Sequence, residues 1–262
     1  MQFLWMILTG LIFSSCGFYM YIYFFSIGYG FSIAACGAVM ALLFRSSLTA
    51  GTALQCLLLI VYGIRLGGYL LVREMKSAAY RKVLSPEMTR SKKMGMGPKI
   101  AIWISCALLY ALEVSPIFFR LQNGGGTDPF VIAGVVLMVC GICLEAAADM
   151  QKTAAKKKDP RRFVDTGLFR IVRCPNYLGE MIFWTGVLLS GIGAVKGWQW
   201  LVCALGYSGI IFVMFSGARR LEVRQNKRYG KDPDYQKFVK TVPILLPFVP
   251  LYSVEKYKWL VA

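Results

Sequence analysis

Of the 262 residues, 57% are hydrophobic and only 16% are charged, too apolar for a water-soluble domain of this length. The net charge of +17 would raise nucleic acid as a partner in a soluble protein, but the cations cluster beside apolar windows, which excludes that partner and points to anionic lipid headgroups. Histidine is absent, which excludes imidazole as general base, haem ligand or partner of a Ser or Cys nucleophile and leaves proton chemistry to Tyr, Glu, Asp, Lys or water.

Windows of about 20 apolar residues, enough to cross a hydrocarbon layer of roughly 30 Å, recur along the chain. The first, residues 3–25, begins in "MQFLW", which lacks the basic leader of a cleaved signal peptide and is expected to be a retained span. Only the Gly28, Tyr29, Gly30 break separates it from the second, residues 28–44. The third, residues 48–72, contains "IVYGIRLGGYLLVRE", where Tyr62, Arg65 and Tyr69 share one helical face. Two readings of that face stand. Either a buried phenol beside a guanidinium donates a hydrogen bond to a substrate carbonyl and stabilises an enolate, or the rings pack and Arg65 ties two helices together.

A basic segment, residues 73–98, leads to the fourth window, residues 99–119, which carries Glu113. The turn "QNGGGTDP" follows; its glycines lack the GxGxxG spacing of a phosphate cradle, so it reads as a flexible connection. The fifth window, residues 129–148, carries Glu145 near its end and Asp149 just beyond it, four apart on one face that Lys152 and Lys156 continue. A second basic segment, residues 149–176, opens into "LFRIVRCPNYLGEMIFW", where Pro175 is expected to start the sixth span, residues 177–195, and Asn176 and Glu180 again lie four apart. After the seventh window, residues 199–216, the helix continues with Arg220, Arg224 and Lys227 on one face, breaks at Gly230 and Pro233, and ends in "TVPILLPFVP", whose prolines bar a membrane helix and leave a membrane-hugging cap.

The expected fold is an all-α integral membrane protein with seven transmembrane helices and a cytoplasmic C-terminal cap. Eight of the 30 Lys and Arg lie between Arg73 and Lys99, eight between Lys152 and Arg173, and ten from Arg219 onward. Seven spans put all three groups on one side, which the positive-inside rule makes cytoplasmic, with the N-terminus outside. Residues 1–262 then form a single membrane domain, with spans 1–72 on the substrate side and 99–262 on the cofactor side. The eight cysteines include no four-ligand zinc set, so no metal is expected and they read as buried, small, reduced apolar residues.

Ionisable groups within reach of hydrocarbon mark function or a partner by default. Glu145, Asp149, Asn176 and Glu180 at the cytoplasmic ends of their spans, with Arg220 and Arg224 nearby by topology, suit a dinucleotide: carboxylates and amide for hydroxyls and carboxamide, guanidinium forks for phosphates. The alternative for each carboxylate is plain neutralisation of neighbouring Lys and Arg.

"GLFRIVRCPNYLGEMIFW" resembles the C-terminal signature of the steroid 5α-reductase family and its bacterial DUF1295-type and plant relatives, built on an N(Y/F)xGE motif. "NKRYGKDPDYQKFVKTVPILLPF" resembles the end of those proteins, and "YGIRLGGYLLVR" an upstream span with an aromatic and an Arg. The resemblance implies a seven-helix membrane fold and NADPH-dependent reduction of a carbon–carbon double bond conjugated to a ketone, as in Δ4-3-ketosteroids. It implies that Asn176, Tyr177 and Glu180 of the motif, Asp149, Lys156 where the steroid enzymes have Arg, and Arg162 serve the cofactor; Glu145, Arg220 and Arg224 join them on the residue reading above, and Arg65, behind Tyr62, is expected to face the cofactor too. It makes Tyr62 the hydrogen-bond donor to the substrate ketone. The steroid enzymes pair that tyrosine with a Glu from an earlier span; residues 1–72 contain no acid, which leaves Tyr62 alone or with Glu113. The partners implied are a lipophilic, steroid-like enone and membrane lipids, with the cofactor site facing the cytoplasm of a bacterial inner membrane or an ER-type membrane. The rival enzyme is an S-adenosylmethionine-dependent methyltransferase of the isoprenylcysteine type, against which stand Cys174 in place of its His and the glutamate of NYLGE.

Overall fold

The computed structural model describes residues 2–260, which are predominantly helical. The described α-helices are α1 (Leu4–Ser14), α2 (Ile27–Leu43), α3 (Ala50–Lys76), α4 (Ala78–Lys93), α5 (Met96–Glu113), α6 (Ser115–Gln122), α7 (Pro129–Lys158), α8 (Pro175–Leu189), α9 (Gln199–Tyr229) and α10 (Pro233–Thr241). Among the described residues, five helical runs are long and apolar enough to cross a membrane: Tyr21–Leu43, α3, α5, α7 and α9. The chain is a helical membrane protein.

The first window is not one helix. α1 ends at Ser14, whose hydroxyl turns back onto the Gly10 carbonyl at 2.6 Å, and 3₁₀ turns at Ser15–Phe18 and Tyr21–Phe25 carry the chain to α2. The fourth window stops at Glu113; Pro116, with no N–H to give the preceding turn, sits in the first turn of a new helix, α6. α8 starts at Pro175, as its sequence predicts, but runs only 15 residues. The basic segment after α3 is itself a helix, α4, capped by the Ser77 hydroxyl accepting from the Tyr80 N–H at 3.1 Å.

The described residues fall into two compact units. One runs to Val135 and includes Val187–Tyr207; the other holds Val136–Gly186 and the chain from Ser208. In the first, α2 and α3 meet backbone to backbone. A β-carbon on Gly63 would stand 2.2 Å from the Gly30 oxygen, and one on Gly30 2.6 Å from the Gly67 nitrogen, so only small residues permit this approach. α1 crosses α5 in the same way, Gly10 lying against Ala107. Met6, Phe24, Ile33, Met40 and Leu59 fill the space around these crossings. At the end of α6 the Arg120 guanidinium is buried, donating to the carbonyls of Ser190, Gly126 and Ile192 and pairing with Asp128 at 2.7 Å.

In the second unit glycines again set the spacing. A β-carbon on Gly179 of α8 would stand 2.8 Å from both the Glu145 nitrogen and the Gly141 oxygen of α7, and one on Gly217 of α9 would lie 3.3 Å from the Tyr177 ring. The chain entering α8 is held by the C-terminal tail: the N–H groups of Arg173 and Cys174 donate to the carbonyls of Pro243 and Ile244 at 2.9 and 3.0 Å. The buried Arg173 guanidinium pairs with buried Glu222 of α9 at 2.9 Å and donates to the Tyr252 carbonyl, while the second Glu222 oxygen accepts from the Val254 N–H at 2.9 Å. Residues 242–250 of "TVPILLPFVP" are thus non-helical, as the prolines predict, and are tied by Pro243 and Ile244 to the entry of α8.

Candidate functional site

Tyr62 is fully buried on α3, and its hydroxyl stands 3.1 Å from that of Tyr29 on α2, a contact set by the adjacent Gly63 and Gly30. The Tyr29 ring meets Tyr62 edge-on and lies 5.1 Å from the ring of Tyr110, whose hydroxyl donates to the Phe24 carbonyl. Glu113 ends α5, buried and within electrostatic reach of Tyr110 and Cys36. The first unit therefore holds both proposed catalytic groups around one buried tyrosine cluster. Arg65, a turn further along α3, faces the Tyr69 ring at 5.9 Å, and Arg73 lies between the rings of Tyr69 and Tyr80 at 5.2 and 4.0 Å.

The second unit holds the remaining candidates. The Gly141–Gly179 crossing brings Glu145 beside the NYLGE turn; Glu145, Asp149 and Glu180 are all buried. Tyr177, packed on Gly217, lies within electrostatic reach of Glu180, Arg220 and Arg224. Arg220 and Arg224 are exposed on the face of α9 away from buried Glu222. Asn176 and Tyr177 are half-buried in the first turn of α8, where backbone N–H groups lack intrahelical partners and favour anionic groups.

Lys156 and Arg162 serve a different turn. Lys156 at the end of α7 donates to the Arg162 carbonyl and to the Tyr229 hydroxyl, the latter at 3.0 Å. Arg162 pairs with Asp165 at 2.8 Å and Asp234 at 3.6 Å and stacks on Phe163, so a phosphate there competes with two carboxylates. Asp159 accepts from the N–H groups of Arg161 and Arg162, which hold its carboxyl below the usual range. Gly167, at φ +60°, lets the "GLF" turn fold onto α7, where Gln151 accepts from the Leu168 N–H at 2.9 Å.

Sequence reading missed Tyr29, Tyr110, Gln151, Arg173 and Glu222. The small residues beside Tyr29 and Tyr62 were a usable signal for helix contact, since Gly30, Gly63 and Gly67 lie within apolar windows; Glu222 was masked by the arginines around it. Cys140 and Cys143, expected to be buried, are exposed on α7, whereas Cys36, Cys56, Cys106, Cys174 and Cys203 are buried.

Two comparisons carry information about descent. The profile of a family described as "Protein of unknown function (DUF1295)" matches residues 26–242. The chain is 28% identical over 123 residues to Steroid 5-alpha-reductase DET2 of Arabidopsis thaliana, covering 46% of this chain and 42% of that protein. It is 36% identical over 76 residues to Steroid 5-alpha-reductase DET2 of Gossypium hirsutum, covering 27% of this chain and 26% of that protein. The chain thus spans less than half the length of the curated relatives it matches. No solved structure matches it. The family match over most of the chain, with the helical membrane fold and the two reductase matches beside it, makes this protein a member of the DUF1295 family and a relative of the steroid 5α-reductases.

Proposed function

We propose that the protein is an NADPH-dependent membrane reductase that saturates a carbon–carbon double bond conjugated to a ketone, in a flat lipophilic substrate such as a Δ4-3-ketosteroid. The observation that carries this reading is the construction of the NYLGE turn, which sets buried Glu145 of α7 beside buried Glu180 and half-buried Asn176 and Tyr177, with buried Asp149 one turn further along α7, and puts Tyr177 within reach of Arg220 and Arg224. That donor set fits a dinucleotide: buried carboxylates and an amide for sugar hydroxyls and carboxamide, exposed guanidiniums for phosphates. NADPH, when bound, supplies a hydride to the β-carbon of the enone.

The chain's own residues do the rest. Glu145, Asp149, Asn176 and Glu180 hold the polar parts of the cofactor, and Arg65, Arg220 and Arg224 neutralise its phosphates, joined by Lys156 and Arg162 once a phosphate displaces Asp165 and Asp234 from Arg162. Tyr62 donates a hydrogen bond to the ketone oxygen and stabilises the enolate as negative charge develops there, with Glu113 in the same buried cluster. A proton from solvent or a side chain then completes the α-carbon. In this reading the chain crosses the bilayer seven times, with short α1 and α8 included, its N-terminus lies outside, and the cofactor residues face the cytoplasm.

The test is NADPH oxidation by detergent-purified protein over a panel of ketosteroids, sterols and fatty enones, with thermal shifts by NADPH and S-adenosylmethionine compared. The expected result is turnover of at least one enone, stabilisation by NADPH alone, and a loss of roughly 100-fold in kcat for Tyr62→Phe. Absence of both turnover and NADPH binding, or full activity of Tyr62→Phe, overturns the reading.

A further inference from the structure

The steroid enzymes that this chain resembles pair their ketone-binding tyrosine with an acid from an earlier span, and this chain has no Asp or Glu before Glu74. The geometry points to Tyr29 as the replacement for that acid, and we propose that its hydroxyl positions and polarises the Tyr62 hydroxyl for the substrate ketone. The inference rests on the reductase reading above and adds to it a residue that sequence comparison does not assign.

Three observations converge on Tyr29. Its oxygen stands 3.1 Å from that of Tyr62, with both side chains buried, so the contact is a hydrogen bond made out of water, where it is strongest. The backbone seam on either side fixes that distance: a β-carbon on Gly30 or Gly63 would collide with the opposite helix, so the residues just before them cannot drift apart. Finally, the Tyr29 ring is braced by Tyr110, 5.1 Å away, which is itself anchored by donation from its hydroxyl to the Phe24 carbonyl.

A pair of hydroxyls shares one hydrogen bond, and either can donate. When a ketone accepts from Tyr62, the shared bond must run from Tyr29 to Tyr62. In that direction each bond polarises the next, so the Tyr62 hydroxyl becomes a stronger donor as charge builds on the ketone oxygen. Tyr29 then contributes more in the transition state than in the ground state, which is a kcat effect rather than a binding effect. No proton need leave Tyr29; the hydride comes from the cofactor and the α-carbon proton from elsewhere.

The experiment compares wild type, Tyr29→Phe, Tyr62→Phe and the double variant for kcat, KM and melting temperature with the best enone of the panel. Phenylalanine keeps each ring and its contacts, and the two single variants break the same hydrogen bond, so any shared loss of stability cannot explain different rates. The expected result is a drop of about tenfold in kcat for Tyr29→Phe, KM within about twofold, and no further drop when Tyr29→Phe is added to Tyr62→Phe, since Tyr29 acts through Tyr62. If wild type turns over an enone but Tyr29→Phe keeps full kcat, or lowers it by the same factor with and without the Tyr62 hydroxyl, the inference fails and the reductase reading stands. If wild type turns over no enone and binds no NADPH, both fall together.

Discussion

Arg120 shows how a buried cation is made tolerable: three carbonyls and one carboxylate receive its guanidinium, so few of its donors face apolar surroundings. Partial burial opposes ionisation of Asp128, but the Val131 N–H and Arg120 outweigh it and hold the carboxyl below its usual range. Such a group stabilises the fold fully above the ordinary Asp value of about 3.9, and the contribution is lost as pH falls through the lowered native value. Asp128→Asn is therefore expected to lower stability at neutral pH by about 1–2 kcal/mol, the Asp side chain being partly exposed. The gap from wild type should close below about pH 4, read by thermal unfolding across pH. A gap unchanged at about pH 2 would assign the loss to packing instead. Single residues were unevenly legible in the sequence. Tyr62, Glu145 and Glu180 stand out because a polar group in an apolar run demands a reason, and all three are buried. Tyr29 does not stand out, because a tyrosine among aromatics is ordinary until the partner helix is known.

At the scale of elements, the two glycine crossings place the candidate groups more firmly than any side chain does. Gly179→Ala forces a methyl onto the Glu145 backbone and should cost about 1–3 kcal/mol by prying α8 from α7 and, on the proposed reading, should lower NADPH affinity with it. Gly97→Ala, with nothing within 4 Å of the added carbon, is the control and should be neutral in the same melting and binding assays. Helix ends were legible wherever proline or glycine wrote them: Pro175 opens α8, and Gly230 and Pro233 separate α9 from α10. They were illegible in residues 3–25, where uniformly apolar residues hide the end of α1 at Ser14, because hydropathy reports burial in lipid and is silent on backbone hydrogen bonding. The charges of α4 hid a helix for the converse reason: a solvated helix needs no apolar stripe.

For the whole molecule, the Arg173–Glu222 pair joins the entry to α8, the body of α9 and the C-terminal tail in one buried knot. Removing one partner strands the other charge, so Glu222→Leu should cost about 3–5 kcal/mol and expose the tail to protease, whereas Arg173→Met with Glu222→Leu should recover most of the melting temperature. This knot lay beyond the sequence, because its members are 49 residues apart and look like ordinary members of a basic run. The short α8 carries a different consequence. Its 15 residues rise only about 22 Å, less than a typical hydrocarbon core. If α8 spans, as the proposed seven-span arrangement has it, the lipid around it must compress or admit water, and the end of the helix that carries Asn176 and Glu180 gains hydration without leaving the bilayer. On the proposed reductase reading, lipid thickness then controls turnover: vesicles of short-chain lipids should favour it, and thick, sterol-rich ones should suppress it.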